Sequence, residues 1–273
     1  MPTFAKQIEG PVAVIGDVHG QVRQLDDVLR QLQGLPDYQD RWIVFIGDLV
    51  DRGEDSSGAV QRVLDLMRSH PKTTCVSGNH ELAMGLACGV ISGADRGDWP
   101  ERWTDHYGSE ETFASYGAAF PDCDDLHAKL PEEHRALLRD LPWAVEHPEF
   151  YFVHAGLDPN MNFETQRRIL DARDFTLNRP PWLCSKSFAK PDVPADCGLT
   201  VVSGHVPVDG VKNYPQRMLI DTTGGLGGSL SCVLLPERSL VASRSVGGPP
   251  VEAAAPAASF EAEDPRRWYE FWK

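Results

Sequence analysis

Five short segments carry residue types that can hold metal ions: Gly16-Asp-Val-His-Gly20, Gly47-Asp-Leu-Val-Asp-Arg-Gly53, Gly78-Asn-His-Glu81, His154-Ala-Gly156 and Gly204-His205. Together they supply Asp17, His19, Asp48, Asn79, His154 and His205. This is an oxygen-and-imidazole set without a thiolate, which suits Mn²⁺, iron or Zn²⁺ better than a soft metal. Six ligands are too many for one catalytic ion that must keep open positions. They suit two ions about 3.5–4 Å apart that share one carboxylate and a water. Each segment alone is weak, because a lone Gly-Asp or Gly-His arises by chance. Their force comes from position: each directly follows an apolar strand candidate. Sites in α/β sheets form on the loops that leave the carboxyl ends of strands. His70, His106, His127, His134 and His147 lie outside these segments and read as surface or satisfied core residues.

The elements that must position these residues are legible as hydrophobic patterns. Val12–Ile15, Trp42–Ile46 and Thr73–Val76 are apolar runs of strand length. Between them, Val22, Leu25, Val28, Leu29 and Leu32 recur at helical spacing, as do Ala59, Val60, Val63, Leu64 and Met67. The opening therefore reads β-α-β-α-β, a parallel sheet with crossover helices. Residues 82–147 lack strand alternation and read as a helical insertion over one side of the site, with a helix starting at Pro131. Phe150–Val153, Leu199–Ser203, Met218–Ile220 and Ser229–Leu235 follow as strands, making the second half β-rich. The expectation is a mixed α/β (α+β) catalytic domain over residues 1–242. An Ala/Pro/Gly-rich linker and aromatic tail occupy 243–273, ending in Arg266-Arg-Trp-Tyr-Glu-Phe-Trp-Lys273. Those aromatics are expected to pack back onto the domain or to dock on a partner.

Composition narrows the function classes. The chain has 273 residues, 41% of them hydrophobic, enough for a sizeable core. A net charge of −14 disfavours sequence-independent binding to nucleic acid, although a metal-loaded pocket can be locally positive. No apolar run approaches the roughly 20 residues that span a bilayer, and no secretory leader is evident, so a cytoplasmic location is expected. The six cysteines form no C-x-x-C pair and read as reduced thiols.

The five segments, in this order, resemble the calcineurin-like metallophosphoesterases. More narrowly, they resemble the bacterial phosphoprotein phosphatases related to bacteriophage lambda phosphatase. The resemblance runs from about Val12 to Leu235. It implies a central β-sandwich flanked by helices, with a dimetal site at the strand ends. It also implies that Asp17 and His19 hold one ion, that Asp48 bridges, and that Asn79, His154 and His205 hold the other. A hydroxide between the ions would attack phosphorus in line. His80 would protonate the leaving group, Asp51 would orient His80, and Arg52 would grip phosphate oxygens. A second phosphate-binding arginine is expected between His154 and His205. The stretch Ile169–Phe175 resembles the one that carries it, with Asp171 where the family often has an aromatic, so Arg173 is the choice over Arg167, Arg168 and Arg179. Trp103–Tyr116 resembles the helical insertion of the bacterial members, either lining the groove or simply packing. Met218-Leu-Ile-Asp-Thr-Thr-Gly-Gly225 resembles the strand and turn after the last ligand, with an extra Thr.

Three functions compete. A phosphatase acting on phosphoserine, phosphothreonine or phosphotyrosine in proteins is favoured by Asp51-Arg52-Gly53-Glu54. A hydrolase of diadenosine tetraphosphate shares the metal motifs, but such enzymes usually lack the Asp and carry Pro after the Gly. A non-catalytic scaffold should have lost ligands, and none is missing here.

Overall fold

The computed structural model describes residues 3–92, 96–225 and 227–244. Its first sheet grows from the apolar runs. β1 (Val12–Ile15), β2 (Trp42–Phe45) and β3 (Thr73–Cys75) lie parallel, with Val14 opposite Val44 and Val44 opposite Thr74. Parallel pairing needs crossovers, and α1 (Val22–Gln33) and α2 (Ser56–Ser69) provide them. Asp55 starts α2 by accepting the Gly58 N–H at 2.7 Å, and Gly34 follows the last residue of α1.

Next comes a run of helices: α3 (Asn79–Ala87), α4 (Trp99–His106), α5 (Glu110–Ser115), α6 (Cys123–Lys129) and α7 (Glu132–Asp140), the last preceded by Pro131 as expected. The chain then builds a second sheet from β4 (Ala144–Glu146), β5 (Phe150–Val153), β6 (Thr200–Ser203), β7 (Lys212–Tyr214) and β8 (Arg217–Leu219). α8 (Phe163–Ala172) and α9 (Pro181–Cys184) cross between β5 and β6. β9 (Ser231–Leu235) and β10 (Ser239–Ala242) return to the first sheet. The strand orders are β10-β9-β1-β2-β3 and β4-β5-β6-β8-β7, with β5, β6 and β8 parallel.

The two sheets face each other. Val12, Val14, Val44, Val233 and Leu235 of the first meet Val145, Phe150, Phe152, Val202 and Met218 of the second in one apolar layer. The alternate residues Ala13, Ile15, Ile43 and Phe45, with Tyr151, Val153 and Val201, join the core formed with the helices. Strands covered on both faces explain why their sequences read as continuous apolar runs. The result is a β-sandwich between helical layers. Three strands were not anticipated, β4, β7 and β10, and each is a sheet edge. The linker and aromatic tail lie outside the described residues from 245 onward. No helix among the described residues is long and apolar enough to cross a membrane.

Phe152 is fully buried between the sheets. Phe152→Ala should lower unfolding free energy by about 3–5 kcal/mol, read from the shift in urea midpoint.

Candidate metal centre

All six expected ligands lie on loops or helix starts beyond the carboxyl ends of strands. Asp17 and His19 follow β1, Asp48 follows β2, Asn79 opens α3 after β3, His154 follows β5, and His205 follows β6. Because β1–β3 and β5–β6 belong to facing sheets, the sandwich brings the two sets together at one end. The ligand atoms of Asp48, His154 and His205 lie within 4.8 Å of one another, as do those of His19, Asp48 and His80. Asp48 is common to both groups, the position a bridging carboxylate needs.

The backbone is shaped to allow this crowding. His19, Asp48, Asp51, Arg52 and His205 all have positive φ, between 46° and 71°, a region non-glycine residues rarely occupy. Two motif glycines leave space for carboxylates. A Cβ on Gly204 would stand 1.8 Å from Asp17 Oδ1, and one on Gly78 would stand 2.0 Å from Asp48 Oδ1.

Backbone carbonyls aim the imidazoles. His19 Nδ1 lies 2.9 Å from Val50 O, and His154 Nδ1 lies 2.8 Å from Ile46 O. Each bond turns Nε2 inward: that of His19 is 3.7 Å from Asp48 Oδ2, and that of His154 is 3.2 Å away. Asn79 Oδ1 sits 3.1 Å from His154 Nε2 and 2.7 Å from His205 Nδ1. Buried Asp17 Oδ1 and His205 Nε2 have no hydrogen-bond partner among the described residues, nor has Asp221 Oδ2.

Electrostatics make the same point. Burial pushes the Asp17 carboxyl well up, and Asp221 and Asp48 push it further. Asp48 goes well down: burial opposes its charge, but His154, His80 and His19 outweigh burial. Burial disfavours the His154 imidazolium, yet the Asp48 and Asp17 charges push its pKa up to about 10. His19 and His205 fall to about 3, through burial first and then through His80 and His154 respectively. Protons thus partly balance a pocket rich in carboxylates. Unpartnered oxygens and inward-facing imidazoles fit divalent cations, which take up such ligands by displacing protons.

Beside the cluster lies a hydrogen-bonded pair. His80 Nδ1 is 2.7 Å from Asp51 Oδ2. Trp103 of α4 donates to that same oxygen at 2.8 Å, and Thr112 of α5 donates to Asp51 Oδ1 at 2.6 Å. Tyr107 meets the His80 ring edge-on, 4.8 Å between centroids. The helical insertion therefore braces Asp51 and His80 beside the candidate metal ligands. Arg52 donates to His19 Nε2 at 3.1 Å, His80 Nε2 at 3.2 Å and Gly224 O at 2.8 Å, spanning the cluster.

Arg173, the expected second arginine, is bonded to a helix end. It ends α8 with φ 50°, which aims its guanidinium at the last carbonyls of α7: Arg139 O at 3.0 Å and Leu141 O at 2.7 Å. Its cation also lies over Phe175. A cation is favourable at a helix carboxyl end, and these contacts occupy the Arg173 guanidinium. Arg179, one of the competitors, is exposed with φ 56°, and its charge acts on Tyr107 beside His80.

Three contributions escaped the sequence reading. Glu81 is fully buried and accepts from Asp48 N at 2.8 Å, Leu49 N at 2.7 Å, Val50 N at 3.3 Å and Gly78 N at 2.9 Å. Burial and the Asp48 charge push its carboxyl up, and the N–H donors oppose that. Its signal was present, an acid three residues after Gly78 in the third motif. Asp221 also had a signal, an acid directly after an apolar run. Trp103 opened the segment that resembles the helical insertion, but nothing there pointed to Asp51.

The sequence model of the family described as calcineurin-like phosphoesterase matches residues 10–225. Serine/threonine-protein phosphatase PP1-1 of Saccharomyces cerevisiae is 41% identical over 75 residues, 27% of this chain and 24% of that protein. A symmetrical bis(5'-nucleosyl)-tetraphosphatase of Vibrio cholerae is 28% identical over 170 residues, 62% of this chain and 53% of that protein. The chain thus spans between about a quarter and about half of the length of these curated relatives. The solved structure of a candidate diadenosine tetraphosphatase superposes with TM-score 0.55 at 22% identity, covering 90% of this chain and 100% of that one. At that identity the likeness concerns the fold.

Glu81→Gln should weaken metal binding by about 10–100-fold without unfolding the chain, since an amide cannot accept all four N–H groups. Calorimetric titration with Mn²⁺ alongside circular dichroism checks this.

Proposed function

The chain belongs to the calcineurin-like phosphoesterases, and from that premise we propose that it is a phosphatase hydrolysing phosphomonoesters of serine and threonine in proteins. The observation that carries this reading is the His80–Asp51 pair, 2.7 Å apart and fixed by Trp103 and Thr112. A serine or threonine alkoxide is a strongly basic leaving group and needs a proton as the phosphorus–oxygen bond breaks. A nucleotide phosphate leaves without that help. A buried carboxylate dedicated to one histidine therefore supports an ester substrate.

The family binds two divalent metal ions. When bound, they supply Lewis acidity and an activated water for attack on phosphorus. Asp17 and His19 would hold one, Asn79, His154 and His205 the other, with Asp48 between them. Mn²⁺ is our assignment, iron and Zn²⁺ being the other metals the donor set suits. Arg52, which spans His19 and His80, would turn its planar fork to two phosphoryl oxygens. Arg179, exposed on the Tyr107 side, would take the remaining negative charge in place of Arg173. His80 would then deliver its proton from Nε2 while Asp51 holds Nδ1.

A second reading is hydrolysis of a symmetrical dinucleoside polyphosphate. The extent of the match to the Vibrio cholerae tetraphosphatase favours it. Turnover of the Mn²⁺-loaded protein on a phosphothreonine peptide and on diadenosine tetraphosphate, side by side, separates the two. Phosphate release mainly from the peptide is the expected result. Preferential cleavage of the dinucleotide would keep the site and replace the substrate.

Arg179→Ala should lower kcat/KM on the preferred substrate by about 100-fold, as loss of one preorganised charge donor does. Arg173→Ala should leave kcat/KM near wild type and lower the melting temperature. Steady-state kinetics and thermal melts of both variants test the reassignment.

A further inference from the structure

α3 carries Asn79 and His80 at its amino end and is buried along its whole length. At its carboxyl end Cys88 caps the helix, its N–H bonded to Met84 O at 2.9 Å. Cys123, the first residue of α6, is brought to the same place by two ties. His127, one turn after Cys123, puts Nδ1 2.7 Å from Cys88 O. Arg96 donates to Asp124 Oδ1 at 3.0 Å and also to Ala87 O, so one guanidinium bonds the neighbour of each cysteine. Inside these ties the two thiols come close enough for each to act on the other's ionisation.

We propose that Cys88 and Cys123 form a peroxide-sensitive dithiol that closes to an intramolecular disulfide and thereby lowers turnover at the site on α3. The covalent part stands apart from the substrate reading. Only the effect on turnover rests on the family's phosphoesterase activity.

The roles of the two sulfurs differ. Cys123 opens α6, where helix N–H groups favour a thiolate, whereas Cys88 caps the carboxyl end of α3, where helix carbonyls disfavour one. Cys123 is therefore the attacking thiolate. Its sulfur bonds to one peroxide oxygen, the O–O bond breaks, and the expelled hydroxide takes a proton to leave as water. The Cys123 sulfenic acid is then attacked by the Cys88 sulfur. The S–S bond forms, the S–O bond breaks, and the hydroxyl departs as a second water with the Cys88 proton. Two thiols are oxidised and one peroxide is reduced to two waters.

Bond formation draws the sulfurs to about 2.05 Å and imposes a fixed dihedral. That pulls the last turn of α3 toward α6. A short buried helix moves as a unit, so Asn79 and His80 shift at the other end, where small displacements lower catalytic rate.

The test uses the full chain loaded with Mn²⁺, briefly exposed to dilute hydrogen peroxide. Non-reducing peptide mapping should find Cys88 linked to Cys123. Turnover of an aryl phosphate should fall several-fold and return with dithiothreitol. Cys123→Ser and, separately, Cys88→Ala should lose the link and keep turnover under the same exposure. Failure to find the linked peptide in the wild type overturns the dithiol. A Cys123→Ser protein that loses turnover to the wild-type extent overturns the coupling, because oxidation elsewhere would then be responsible.

Discussion

Asp17, Asp48 and Asp221 converge in one buried pocket, and their charges act on one another. Carboxylates out of water and close together are unfavourable unless something positive stands among them. In the protein alone, His154 takes that part, its pKa pushed up to about 10 by Asp48 and Asp17 after burial is overcome. The partial remedy leaves Asp17 Oδ1 and Asp221 Oδ2 without partners among the described residues. A pair of divalent cations relieves this far better than shared protons. Much of the local architecture can be understood as holding the pocket in shape for them.

That holding is done largely by the main chain. Five site residues sit at positive φ, and a strained loop needs external restraint to persist. Glu81 supplies it by gathering N–H groups from Asp48, Leu49, Val50 and Gly78 onto one carboxylate. The second and third motifs are thereby joined through an acid that faces backbone donors. The insertion does the corresponding work for Asp51. Trp103 and Thr112 reach it from α4 and α5, elements with no share in the sandwich. The candidate ligands and the His80–Asp51 pair thus all sit at strand ends, but the pair is braced in addition by the helical insertion.

The candidate ligands' placement was readable because a polar residue at a strand end leaves two local marks, an apolar run and a flanking glycine. Asp221 carries only the first mark, following an apolar run without a flanking glycine, and so escaped. The unanticipated strands β4, β7 and β10 are all edges, where one side lacks a partner strand and the apolar signature thins. Arg173 and Arg179 show what a local pattern leaves open. Six residues apart, one turns to the carboxyl end of α7 and the other stays exposed near Tyr107. A left-handed residue at the end of α8 directs Arg173, and side-chain direction at such a point is not written in its residue type.

By itself the sequence determined the parallel β-α-β-α-β opening and the placement of the oxygen-and-imidazole candidates at strand ends, because hydrophobic period and residue chemistry are local properties. Only the tertiary structure decided that the two ligand sets meet, since they lie on different sheets and face each other only once the sandwich closes. It alone gave Glu81 its four donors and Asp51 its tryptophan, and it turned Arg173 to the end of α7 while leaving Arg179 exposed. It also set Cys88 beside Cys123. Each depends on the direction of a side chain across packed elements, which long-range packing fixes and a linear pattern does not record.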